Sequence, residues 1–90
     1  MKSIWKYKLE RIDEQKIEMP AGAKIISVGV QNEEIYLWAI VNVVEKPELR
    51  SIGIVGTGRN CWCSNWTFIG SVMDGPFVWH IFEKENENDN

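Results

Sequence analysis

The run from Glu34 to Val44 admits few structural solutions. Along an extended chain, Tyr36, Trp38 and Ile40 point one way, and Ile35, Leu37, Ala39, Val41 and Val43 point the other. A strand that is apolar on both faces belongs at the centre of a sheet covered on both sides. No amphipathic helical period persists for three turns anywhere in the 90 residues, so no helix is available as the second cover. Another subunit is the expected source. A chain this short has a thin core, which also favours a homo-oligomer.

The flanking segments keep the two-residue period of half-buried strands. Residues 4–10 set Trp5, Tyr7 and Leu9 against Lys6 and Lys8. After the polar turn Ile12-Asp13-Glu14, the run Gln15 to Met19 turns Ile17 and Met19 inward. Pro20-Ala21-Gly22-Ala23 carries proline and glycine where a turn wants them. From Lys24 to Gln31, Ile26, Val28 and Val30 oppose the small Ser27 and Gly29, and Asn32-Glu33 makes a compact hairpin connection. Glu45-Lys46-Pro47-Glu48 turns the chain into Leu49–Val55. Two more strands, Trp66–Met73 (Trp66, Phe68 and Val72 on one face) and Phe77–Phe82, are joined by the hairpin signal Asp74-Gly75. The expected fold is all-β. It is an antiparallel meander of about seven strands forming a strongly bent sheet or small barrel. The β domain spans 1–83, and the acidic, low-complexity tail 84–90 is expected to be disordered.

Charge and composition narrow the function classes. The net charge of −3 belongs to the tail: Glu83–Asn90 holds four acids and one lysine, leaving a body with nine basic and nine acidic residues. That argues against a duplex-DNA binder working through a broad basic face, while one or two arginines could still hold a small anion. The N-terminal segment lacks the apolar core of a signal peptide, and no apolar run reaches membrane-spanning length. The two cysteines, Cys61 and Cys63, are too close for an unstrained disulfide. With His80 as the single histidine, a structural zinc site is not expected unless it lies between subunits. These features fit a cytoplasmic chain with free thiols, no metal, no cofactor and no membrane partner.

Chemistry concentrates in Ile52–Trp66. An apolar strand runs into Gly56-Thr57-Gly58-Arg59, and Trp62 and Trp66 follow. Glycines let the backbone approach a ligand and aim N–H groups at it. The Thr57 hydroxyl and the Arg59 guanidinium add donors for a phosphate, and the tryptophans offer faces on which a base can stack. The loop is no Walker motif, because the lysine and serine of that motif are missing. The plain structural alternative is a hairpin loop with core tryptophans and a solvent-facing arginine. Arg11 and Arg50 are secondary anion contacts or ordinary surface charges. Trp5, Trp38 and Trp79 fit strand patterns and are read as core. His80, mid-strand, reads as a packed residue rather than a base, and Asp13, Glu14, Glu33 and Glu34 as solvated turn acids. Asp74 is accounted for by its turn. No base–nucleophile pair suggests an enzyme.

Ile4-Trp5-Lys6-Tyr7, Met19-Pro20-Ala21-Gly22-Ala23-Lys24-Ile25, Leu37-Trp38-Ala39, Gly56-Thr57-Gly58 and Val78-Trp79-His80-Ile81-Phe82 occur here in a distinctive order and spacing. Together they resemble a family of small uncharacterised phage and prophage proteins. That family is similar to the viral sponge proteins that antagonise CBASS immunity by sequestering cyclic nucleotide signals such as cyclic GMP–AMP. The resemblance implies an oligomer, ligand sites at or near subunit interfaces, and an infected bacterial host. The Cys61–Asn65 segment departs from the more polar loop such a family would carry, so the ligand's identity stays open. With the residue reading, this gives an expected ligand site of Thr57, Gly58, Arg59, Trp62, Arg11 and Trp66. The alternative function is a phage accessory or structural protein acting through protein–protein contacts. A small hydrolase is the third class.

Overall fold

In the computed structural model, which describes residues 1–85, the described residues form seven strands and no helix. They are β1 (Lys2–Leu9), β2 (Glu14–Pro20), β3 (Lys24–Gln31), β4 (Glu34–Asn42), β5 (Pro47–Gly56), β6 (Thr67–Asp74) and β7 (Phe77–Glu83). Every ladder is antiparallel. The strands divide between a three-stranded sheet, β1-β4-β3, and a four-stranded sheet, β2-β5-β7-β6. The all-β class and the seven strands are as expected. The arrangement is neither a sequential meander nor a closed barrel.

Turn geometry explains the difference. Asn32 and Glu33 both have positive φ, 52° and 67°, the primed turn whose twist matches its flanking strands. Gly75, with φ 60°, opens the two-residue turn between Asp74 and Phe77. These two turns make the hairpins β3–β4 and β6–β7. At Pro20–Ala23 the glycine with φ 79° comes third, and the Ala23 N–H donates to the Pro20 carbonyl at 3.1 Å. That is a type II pattern, which splays strands instead of pairing them, and β2 and β3 enter different sheets. The β1–β2 connection also changes sheets. The Gln15 amide closes it by bonding both the N–H (2.9 Å) and the carbonyl (2.8 Å) of Glu10.

The core fills the space between the sheets. Leu9, Met19, Ile35, Leu37, Val41, Ile52 and Ile81 are fully buried. β4 is central in its sheet, as its two apolar faces require, and its inward Ile35, Leu37, Ala39 and Val41 are all buried. Outward-facing Tyr36, Trp38 and Ile40 are only half-buried. Two bulges correct the expected facing. In β3 the register shifts between Ile25 and Ser27, so Ile25 and Val28 pack inward and Ile26 is left exposed. In β6 the shift between Phe68 and Gly70 pairs Phe68 with Phe82 on the outer face, while Val72 is buried. An extra residue reverses the facing of everything beyond it.

Edge strands β3 and β6 meet without a ladder among the described residues. A Cβ on Gly70 would stand 2.9 Å from Val28 Cγ2. Arg50 pairs with Glu83 and donates to the Ala23 carbonyl at 2.9 Å, which makes it a structural tie instead of an anion contact. Lys84 N–H donates to the Ser51 carbonyl at 3.0 Å, and Thr67 Oγ1 donates to Glu85 at 3.0 Å. The rest of the expected disordered tail, residues 86–90, lies outside the described residues. Among the described residues no helix is long and apolar enough to cross a membrane.

Candidate ligand-binding cleft

The Gly56–Trp66 segment begins where β5 leaves the sheet. Gly56 pairs with Trp79 on β7, and a Cβ at Gly56 would stand 3.1 Å from Trp79 Cζ3. The missing side chain is what lets the indole lie across the end of β5. The Arg59 N–H then donates to the Gly56 carbonyl at 3.1 Å, closing a turn that needs the positive φ (87°) of Gly58. Two further turns, Ser64 to Cys61 (3.2 Å) and Trp66 to Cys63 (2.9 Å), fold the loop back over the sheet. It seats on bare Gly53, where a Cβ would meet Trp62 Cη2 at 3.1 Å and Cys63 Sγ at 3.2 Å. Burial, with Cys61 nearby, pushes the Cys63 thiol above its ordinary pKa. This cysteine packs as a small apolar residue, while Cys61 is exposed.

A cleft of about 670 Å³ opens where this loop meets the β1–β2 turn and the start of β7. Four of the six expected residues line it: Arg11, Thr57, Arg59 and Trp62. Gly58 does not line the cleft, and its part is the turn. Trp66 stands behind Trp62, edge to face at 5.1 Å between centroids, and props that ring instead of lining the cleft.

The two arginines differ in availability. Arg11 Nε donates to Asp74 Oδ2 at 2.8 Å, and Nη2 donates to Asp74 Oδ1 at 3.2 Å and to the Glu33 carbonyl at 2.6 Å. Its charge is matched, and it ties the β1–β2 turn to both hairpins. Arg59 is exposed and makes no ion pair among the described residues. The Thr57 hydroxyl is 2.8 Å from His80 Nε2, and the other ring nitrogen is 2.7 Å from Ser71 Oγ. His80 is thus held between two hydroxyls on the outer face of the sheet, and no histidine lines the cleft.

Sequence reasoning missed the far wall. Phe77 and Trp79 stack at 5.5 Å and 23° and both line the cleft. The Trp79 indole N–H donates to Asp74 Oδ2 at 2.8 Å. Asp74 therefore joins Arg11 to Trp79, and those two bonds, Arg11 first, hold its carboxyl below the usual carboxylate range. A second cleft, of about 610 Å³, lies beyond the same hairpin and shares Arg11, Phe77 and Trp79. The available signal was Gly56: a glycine ending an apolar strand leaves room for a large ring on its neighbour.

A family model described as "Domain of unknown function (DUF7352)" matches residues 1–90. The chain belongs to that family. The description of DUF7352 assigns no activity. Neither a curated protein nor a solved structure matches this member of the family.

Proposed function

We propose that this DUF7352 protein is a phage-encoded immune antagonist that binds a cyclic nucleotide second messenger, such as cyclic GMP–AMP, and sequesters it without cleaving it. One observation carries the reading: Arg59, which makes no ion pair among the described residues, shares a cleft with three aromatic side chains, Trp62, Phe77 and Trp79. A nucleotide needs this combination, a fork of donors for phosphate and flat faces for bases. At about 670 Å³ the cleft has the size of a small-molecule site. The hydroxyl of Thr57, held 2.8 Å from His80 Nε2, adds a polar group to the same lining. Arg11 acts through Asp74 and Trp79, positioning the aromatic wall. The reading includes a homo-oligomer in the cytoplasm of the infected host. The exposed Phe68 and Met73 on the four-stranded sheet offer its contact surface.

A thermal-shift screen against cyclic di- and trinucleotides tests this. Binding to the folded state raises the melting temperature by mass action, equivalent to about 2.7 kcal/mol at a hundredfold excess over Kd. The expected result is a shift with one ligand, lost in Arg59→Ala, with intact ligand recovered after heating the complex. Recovery of a linear product would overturn the sponge reading in favour of a nuclease.

The same exposed side chains support a second reading, an accessory or structural phage protein acting through protein contacts. It expects indifference to nucleotides and a stable complex captured from infected cells that Phe68→Ser together with Met73→Ser abolishes.

A further inference from the structure

The outward face of the three-stranded sheet takes no part in the cleft. Its cross-strand rows follow from the register: Lys24, Ile40 and Ile4; Ser27, Trp38 and Lys6; Gly29, Tyr36 and Lys8; with Lys2 beside Asn42 at one end. With the Gln31–Glu34 pair at the other end, the charged side chains at the outward strand positions are four lysines and one acid, Glu34, and Glu10 follows β1 beside Lys8. On a chain of net charge −3, that is a local segregation of positive charge. All four lysines are exposed. Lys8 is near Glu10 (3.9 Å) and Glu34 (3.8 Å), whereas Lys2, Lys6 and Lys24 make no ion pair among the described residues.

Trp38 lies between these lysines. Because Gly29 has no side chain, the indole settles against β3, with Cζ3 and Cη2 at 3.6 and 3.9 Å from where a Gly29 Cβ would stand. The residue is half-buried, with Tyr36 beside it at 6.1 Å between centroids. Lys6 Nζ sits 4.4 Å from the Tyr36 ring centroid and donates to Gln31 Oε1 at 2.7 Å, so its ammonium is held over the sheet.

We infer that this face binds single-stranded nucleic acid, with a base stacked on Trp38 and phosphates taken by Lys2, Lys6 and Lys24. Aromatic platforms framed by cations are what such strands require, because every base has a π-face and every linkage a negative charge. A duplex hides its bases and gains nothing from Trp38. A second copy of the same face would set lysines against lysines, which costs association free energy. The surface is separate from the cleft and stands whether or not the cleft binds a nucleotide.

Fluorescence polarisation with labelled oligouridylate, oligothymidylate and a duplex of equal length tests the inference. We expect saturable single-strand binding, weaker duplex binding, and a log–log salt slope of about −2 for three phosphates on a single strand. Trp38→Ala should weaken binding roughly tenfold. Lys24→Glu, at an exposed position that the fold does not depend on, should weaken it and flatten the slope. Arg59→Ala should leave it unchanged, separating this face from the cleft. Preference for either oligomer supports the inference, and oligodeoxyuridylate separates the contribution of the sugar from that of the thymine methyl. No binding by folded protein at low salt would overturn it, as would equal affinity for the duplex or binding indifferent to both Trp38→Ala and Lys24→Glu. A dimer seen by sedimentation that Lys24→Glu disrupts and the oligonucleotides do not would assign the face to a second copy instead.

Discussion

Asp74 shows how much one side chain can hold together at the mouth of a cleft. Its two oxygens take the Arg11 guanidinium and the Trp79 indole N–H, so a turn, a hairpin and an aromatic wall depend on one carboxylate. Its pKa is lower in the folded chain than in the unfolded one. Its contribution to stability is therefore complete above the unfolded value of about 3.9 and is lost as pH falls through the lower folded value. Asp74→Asn should lower the melting temperature at neutral pH, with the gap from wild type closing below about pH 4. A gap that stays constant into acid would mean the carboxylate's charge is not what matters. Tyr7 presents the opposite case. Its hydroxyl is buried and reaches no partner among the described residues, and burial pushes its pKa up. A buried group without a partner retains its desolvation penalty and gains nothing in return. Tyr7→Phe should leave stability within about 0.5 kcal/mol or raise it, and chemical denaturation that shows a loss above 1 kcal/mol would contradict this.

At the scale of elements, the contact between β3 and β6 is the seam most sensitive to a single methyl group. It closes because Gly70 leaves room for Val28. Gly70→Ala should destabilise by about 1–3 kcal/mol through overpacking. Val28→Ala in the same chain should recover part of that loss, a coupling that a double-mutant cycle measures. Simple additivity would show that the seam is looser than the geometry implies. Strand existence was legible because alternation is local: Tyr7 and Leu9 against Lys6 and Lys8, or Asn32-Glu33 and Asp74-Gly75 at the two hairpins. The bulges at Ile26 and Ile69 were not. A bulge is visible only against a partner strand, and Ile25-Ile26 reads equally well with either residue inward. The crossing at Gly22 could have been found, since a glycine third in a turn that follows proline gives the type II geometry that separates strands.

For the whole molecule, the sequence placed half of the cleft. Thr57, Arg59 and Trp62 were recognisable because glycine, arginine and tryptophan crowd one loop, and the fold brings them to one wall. Phe77 and Trp79 were not recognisable, because the alternation of β7 assigns them to the core. Phe77 ends up exposed, whereas Trp79 keeps the core contact that alternation implies and reaches the cleft by lying across Gly56. Arg11 reaches the cleft as well, with its guanidinium paired to Asp74. The molecule is a small sandwich with an aromatic cleft at one end, whose lining includes Arg11, Arg59 and Asp13, and a lysine-framed tryptophan on one face. Nucleotide binding in the cleft is tested most directly by isothermal titration calorimetry of cyclic GMP–AMP, and of the other cyclic di- and trinucleotides, into wild type and Arg59→Ala. Saturable heat from one ligand in wild type, reduced at least tenfold in affinity by Arg59→Ala as expected for a lost charged contact of about 1.4 kcal/mol or more, is the predicted result. Folded wild-type protein that takes up none of these ligands would contradict it.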